Sequence, residues 1–229
     1  MRALAHDVPD QVCAGVGNLN VITSSGLRSE DHWVHMEIYE GAYGGRAGKD
    51  GMDAVDILFT NTRNNPIEDV ESHFPLRIHR YELRDEGCAA GRWRGGIGPI
   101  RETELLDDAG FSIEGEGQRF PPWGHDGGAE GRPNSITLVR ADGAEQALPS
   151  KLAHMKAAAG DRVIVTSCCG GGYGDPLLRP AEQVAADVVD GHISAEAARC
   201  DYGVVLTDAL TLDAAATARE RGLRAKSAP

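Results

Sequence analysis

Residues 33–51 read WVHMEIYEGAYGGRAGKDG, and this stretch decides how the rest of the chain is read. Residues 33–39 alternate in the period-two manner of a strand. That alternation places His32, Val34, Met36, Ile38 and Glu40 on one face, and His35 with Glu37 on the other. Residues 41–51 (GAYGGRAGKDG) then form a glycine-rich loop. Glycine loses more backbone freedom on ordering than any other residue, so such a loop implies tight turns or close backbone approaches.

The same sequence of strand and glycine loop recurs downstream. Residues 75–83 (PLRIHRYEL) alternate as a strand and precede residues 88–99 (CAAGRWRGGIGP). Residues 160–166 (GDRVIVT) precede residues 168–176 (CCGGGYGDP). Between these lie a short strand at 54–59 (AVDILF), a strand at 100–106 (IRETELL) and a loop-rich stretch at 110–132. Residues 134–148 read as a hairpin turning at Asp142-Gly143, a strong local turn signal. Residues 1–12 look like the end of a helix stopped before Pro9, an opening that points to a partner or to a segment upstream.

Toward the C-terminus the character changes. Val184, Val188 and Val189 have helical spacing within residues 180–190, and Gly191 ends that helix. Ser194 offers an N-cap to residues 195–199, and residues 212–221 form a last helix with Asp213 near its start. The predicted class is α+β: a strand-rich body with glycine-rich loops over residues 1–176, and a short helical segment over residues 177–229.

Composition narrows the function. With 23 Lys and Arg against 35 Asp and Glu, the formal net charge is −12. That balance disfavours nucleic acid and anionic membrane as partners. The five cysteines include no C-x-x-C pair, so neither a disulfide framework nor a zinc knuckle is indicated. No apolar run has the length of a membrane helix, and MRALAHDVPD carries no signal peptide, so a cytoplasmic location is expected.

Familiar site motifs fail on particular residues. In a P-loop the lysine is followed by Ser or Thr, whereas Lys49 is followed by Asp50, which repels phosphate. No G-x-G-x-x-G lies between a strand and a helix, and no G-x-S-x-G elbow is present. His32 and His35 point to opposite faces of a strand, and His35 with Glu37 reads as an exposed pair with too few ligands for a metal. Cys168-Cys169 reads either as a thiol activated by loop amides or as small residues where backbones approach, and the second is favoured.

One loop stands out. Thr60, Asn61, Thr62, Asn64 and Asn65 crowd neutral hydrogen-bonding groups ahead of Pro66, and Pro disfavours helix in the residue before it. Such groups either meet a substrate or satisfy the loop's own backbone.

Several blocks together resemble the hydantoinase B/oxoprolinase family. Residues 40–55 are similar to its E-x-x-x-G-x-R-x-G-x-D-G segment, and residues 60–68 to its T-N-T-x-N-x-P-I-E block. Residues 75–84 match P-L-R-x-x-x-Y-x-L-R, residues 91–98 match G-x-x-R-G-G-x-G, and residues 170–176 and 201–206 close the pattern. The resemblance implies a component of a multisubunit enzyme that hydrolyses the C–N bond of a cyclic amide: a hydantoin, 5-oxoproline or a lactam. ATP with Mg²⁺ would be used by a hydantoinase A-type partner, and a divalent metal would sit in the N-terminal half of a B-type subunit. The N-D-P-Y and H-H-A-D blocks of that half are missing here, so no cofactor or metal ligand is expected in this chain. The alternatives implied are a non-catalytic structural module, a truncated fragment, or part of a related ketone carboxylase. Amide rings carry both N–H donors and C=O acceptors, which neutral Asn and Thr meet without adding charge, while Glu40 and Glu68 read either as bases or as ion-pair partners of a cation such as Arg63; Glu40, Thr60, Asn61, Thr62, Asn65 and Glu68 are the candidate substrate-binding residues, and no catalytic residue is assigned.

Overall fold

The computed structural model describes residues 2–56, 60, 62–85 and 88–227. Nine strands form two antiparallel sheets among these residues. The first sheet comprises β1 (Asn20–Arg28), β2 (Asp31–Tyr39), β5 (Ala109–Glu114) and β8 (Lys151–Ala157), ordered β2-β1-β5-β8. The second comprises β3 (Leu76–Leu83), β4 (Pro99–Leu105), β6 (Ser135–Val139), β7 (Glu145–Leu148) and β9 (Arg162–Thr166), ordered β3-β4-β9-β6-β7. Ile22, Phe111 and Ile113 of the first sheet share one core with Leu105, Ile136, Leu138, Val163 and Val165 of the second. The expected α+β class holds: four helices accompany the two sheets.

Every strand of the second sheet lies in a segment that the sequence marks as strand or hairpin. In the first sheet, the sequence marks neither β1 nor β8 as a strand, and β5 lies at the start of the stretch it marks as loop-rich. The helix α1 (Ile67–His73), which places Val70 in the inter-sheet core, was not anticipated either. The helix end expected over residues 1–12 is instead two short 3-10 turns, Arg2–His6 and Pro9–Gln11. Pro9 opens the second of these, because its fixed φ and missing N–H suit a first helical position. Of the strand expected at 54–59, Val55 makes only an isolated bridge to Gly41, and residues 57–59 lie outside the described residues.

The glycine-rich stretches gather into one bundle of extended segments beside the sheets. Their backbones bond sideways to several neighbours in turn. Gly45 N–H donates to Gly171 O (2.8 Å), Gly171 N–H to Gly15 O (2.9 Å), and Gly15 N–H to Trp123 O (2.7 Å). Gly96 N–H donates to Tyr43 O (2.8 Å), while Gly170 N–H donates to Gly96 O (2.9 Å). A Cβ on Gly171 would stand 2.1 Å from Trp123 O, and one on Gly170 would stand 2.0 Å from Tyr43 O. Side chains are excluded there by the backbones themselves.

The C-terminal helices are α2 (Ala181–Val189), α3 (Ala195–Tyr202) and α4 (Ala214–Ser227). Ser194 accepts from Ala197 N–H (3.0 Å), the expected cap, and Asp213 accepts from Ala216 N–H (2.9 Å). Val184, Val188, Ala198 and Tyr202 pack with Ala90 in a second small core. Buried charges tie these helices to the bundle. Arg179 binds Asp50 (2.7 and 2.8 Å) and Asp187 (2.9 Å), while Arg94 holds Asp53 (2.9 Å). Among the described residues no helix is long and apolar enough to cross a membrane.

Candidate functional site

Strand β2 delivers the central residue. It alternates with Trp33, His35, Glu37 and Tyr39 facing inward, and ends at the bundle, where Gly41 bridges Val55. Glu40 sits at that junction, 6% exposed. Its carboxylate accepts a hydrogen bond from the Tyr81 hydroxyl of β3 (3.0 Å). The Tyr81 oxygen accepts in turn from the Asn64 side-chain amide of the 60–68 loop. Three separate stretches of sequence thus meet in one chain of hydrogen bonds.

Behind this chain lies a buried polar cluster. Arg101 of β4, 1% exposed, stands over the rings of Tyr81 (5.0 Å) and Tyr39 (5.4 Å). Its Nη1 lies 3.2 Å from Glu37, and Glu37 is 2.9 Å from His35 Nε2. His35 and Glu37 are each 7% exposed, which corrects the expectation of an exposed pair. The inward face of β2 carries these two residues because Trp33 and Tyr39, at either end of the same alternation, anchor that face in the core.

Burial sets the electrostatics. Removing Glu40 from water raises its carboxyl above the usual 4.5, with Glu37 adding to the rise; the Tyr81 hydrogen bond and the Arg101 charge oppose it. The Tyr81 phenol is pushed up to about 12, first by burial and then by the negative charge of Glu40. Cys168 is pushed up to about 11 by burial, the wrong direction for an activated nucleophile.

The other candidates are placed as follows. Thr60 is half-buried, and Asn61 lies outside the described residues. Thr62 is turned to its own loop: its backbone N–H (3.0 Å) and its hydroxyl both donate to Asp56. Asn65 is exposed, and Glu68 lies exposed in the first turn of α1. The structure therefore joins Glu40 to the loop through Asn64, and leaves Asn65 and Glu68 at its rim. Tyr81 and Arg101 were not singled out from sequence. Tyr81 stands within a recognised block and could have been found there, whereas a buried arginine inside IRETELL gives no local signal. Among the described residues no group of three or more His, Cys, Asp or Glu is disposed to hold a metal ion.

The two-sheet body with its glycine bundle and junction site defines a class of fold that recurs in larger chains. The chain belongs to the hydantoinase B/oxoprolinase family, whose model matches residues 1–176. It is 53% identical over 214 residues to the B-type subunit of a putative D-/L-hydantoinase from Pseudomonas sp. (strain NS671), covering 93% of this chain and 36% of that protein. The crystal structure of ATP-dependent caprolactamase from Pseudomonas jessenii matches at a TM-score of 0.80 and 31% identity, over 96% of this chain and 40% of that one. A nucleotide-free acetone carboxylase structure matches at a TM-score of 0.77 and 19% identity, a likeness of fold, over 98% of this chain and 35% of that one. The chain thus spans 36–40% of the hydantoinase and caprolactamase chains it matches.

Proposed function

We propose that this chain forms the C-terminal part of a B-type subunit in a cytoplasmic, multisubunit enzyme that hydrolyses the C–N bond of a cyclic amide. A hydantoin, 5-oxoproline or lactam ring is the substrate class, and an A-type partner consumes ATP. The observation that carries the reading is the Glu40–Tyr81–Asn64 hydrogen-bond chain, which joins three family blocks at one junction. In this reading the 60–68 loop lines the substrate cleft. Its neutral amides and hydroxyls meet the ring's N–H and C=O groups, and Asn61 and Asn65 are the contact candidates. Glu40 is a positioning residue: it accepts the Tyr81 hydroxyl proton in a hydrogen bond and so leaves the phenol oxygen to the Asn64 amide. A divalent ion in the N-terminal half of a B-type subunit is part of this proposal, and no step is derived through it.

The 53% identity to a hydantoinase subunit favours amide hydrolysis over ketone carboxylation, since the carboxylase likeness is one of fold. A second reading, that the loop serves only its own order, draws on Thr62, which spends both donors on Asp56. Asn61→Ala in the reconstituted enzyme separates the two. A cleft role lowers kcat/KM by an amount equivalent to about 1–3 kcal/mol at an unchanged melting temperature. Unchanged turnover per folded molecule with a lowered melting temperature retires the cleft assignment.

A further inference from the structure

Strand β2 is inverted relative to what water selects. It buries His35 and Glu37, yet Val34 and Met36 are 63% and 57% exposed. In register beside them on β1 stand Ser25 and Thr23, which are uncharged, and beyond lies Leu27 at 54% exposure. Ile38, half-buried, completes an apolar strip on the outer face of the first sheet. A broad open depression of about 1220 Å³ adjoins the strip at its hairpin end, where Ser25, Leu27 and Val34 meet the charged Asp107, Asp108, Arg140 and Lys156. Other exposed apolar residues, such as Phe120 (76%), Val189 (66%) and Leu223 (65%), lie far from this strip in sequence. An antiparallel sheet with one solvated face puts its polar residues outward, so a strip of this composition is built to be covered.

We infer that the outer face of β1 and β2 is the docking surface for the polypeptide that family subunits carry beyond this region. Two observations select that occupant. The caprolactamase chain contains 96% of this fold as only 40% of its length, so the fold exists there with a larger body on the same polypeptide. A second copy of this chain is disfavoured, because each copy carries −12 and would meet its like. The strip itself is uncharged and Asp107, Asp108, Arg140 and Lys156 rim the depression at its end, which suits an apolar partner surface with a polar margin. The inference rests on the proposal that B-type polypeptide accompanies this chain.

The test uses the full chain, co-expressed with the part of the Pseudomonas sp. hydantoinase polypeptide that lies outside the aligned 214 residues. Complex formation is read by size-exclusion chromatography and by amide hydrogen exchange. The expected result is a one-to-one complex with new protection in β1 and β2. Val34→Glu with Met36→Glu weakens it at least about tenfold, and Val34→Thr with Met36→Thr, which keeps strand propensity, weakens it less. Leu223→Glu on α4 serves as the control and leaves binding unchanged. Far-UV circular dichroism checks that each variant is folded. A complex that forms equally well with the glutamate variants, or protects other strands only, overturns the docking face while sparing the B-type proposal. Absence of any complex, or self-association through this face instead, overturns the docking inference, and absence of a complex counts against the B-type proposal as well.

Discussion

Between the two sheets side chains fill the space, while in the adjoining bundle backbones fill it. Ile136, Leu138 and Val165 of the second sheet, each at 1% exposure or less, share one core with Ile22, Phe111 and Ile113 of the first. In the bundle, Gly95, Gly170 and Gly171 let carbonyls come to about where a Cβ would sit, and lateral hydrogen bonds supply the cohesion. The two modes respond to sequence change in opposite ways. Close-packed side chains tolerate the loss of a methyl group at modest cost, since neighbours relax part-way. A backbone packed on a backbone cannot relax by changing rotamer, so the gain of a methyl group is the damaging event there.

The largest expected effect follows from this contrast. Gly171→Ala places its Cβ 2.1 Å from Trp123 O and disturbs the bonds to Gly45 and Gly15. The expected cost exceeds about 5 kcal/mol, enough to remove the folded state of a marginally stable domain. Gly143→Ala is the matched control, for its Cβ would meet nothing within 4 Å and only its φ of +89° resists. Urea denaturation of the pair measures the difference. Equal, small losses for both would show that the bundle yields as a side-chain core does.

Next comes the seam between the bundle and the C-terminal helices. Arg179→Met leaves Asp187 with only the longer contacts to Arg94 (3.5 Å) and His192 (3.8 Å), and strips Asp50 of its bidentate partner. Breaking a buried pair by removing one member costs about 3–5 kcal/mol. Native-state hydrogen exchange is expected to show α2 and α3 opening before the sheets. Uniform loss of protection across the molecule would mean that the helices and bundle unfold as one unit.

A smaller effect probes the other side of the comparison. Ile136→Val removes one methylene from the inter-sheet core, where Ile136 is 1% exposed. A shift of about 0.5–1.5 kcal/mol in urea denaturation is expected. A loss as large as that of Gly171→Ala would erase the distinction between the two regions.

This contrast also decides what could be read from the sequence. Strands β3, β4, β6, β7 and β9 follow the alternation and turn rules, because side chains make their contacts. Three of the four strands of the first sheet escaped. β1 (NVITSSGLR) and β8 (KLAHMKA) mix polar residues into both faces, and β5 (AGFSIE) is short. β2 is legible as a strand and Trp33 and Tyr39 mark its inward face, but the partners that let His35 and Glu37 be buried there, Arg101 and Phe74, arrive from elsewhere in the chain. The glycine blocks could be recognised one by one. Their mutual packing could not, for a glycine names no partner. At the site, Glu40 and the loop were legible as blocks, whereas Tyr81 becomes meaningful only once β3 sets it between them.

The smallest expected effect concerns the meeting point of the two regions, Glu40. Burial raises its carboxyl above 4.5, so the folded state holds the proton more tightly than the unfolded chain does. Unfolding then releases a proton across the window from 4.5 upward to the raised folded value, and stability falls as pH rises through that window. Below 4.5 both states are protonated and the contribution is flat; above the folded value both are ionised, and it is flat again at the lower level. Glu40→Gln keeps an oxygen that accepts from Tyr81 but cannot ionise. The stability of the variant relative to the parent is therefore expected to rise with pH across the window and then level off. Urea denaturation of both proteins, from below 4.5 to neutral pH, gives the curve directly. A difference that stays constant with pH would mean that water reaches the carboxyl, and that the junction between sheet and bundle is open where the side chains close it here. A difference that falls with pH would mean that Arg101 and Tyr81 outweigh burial and hold Glu40 as a stabilised anion, with its positioning of Tyr81 strongest when charged.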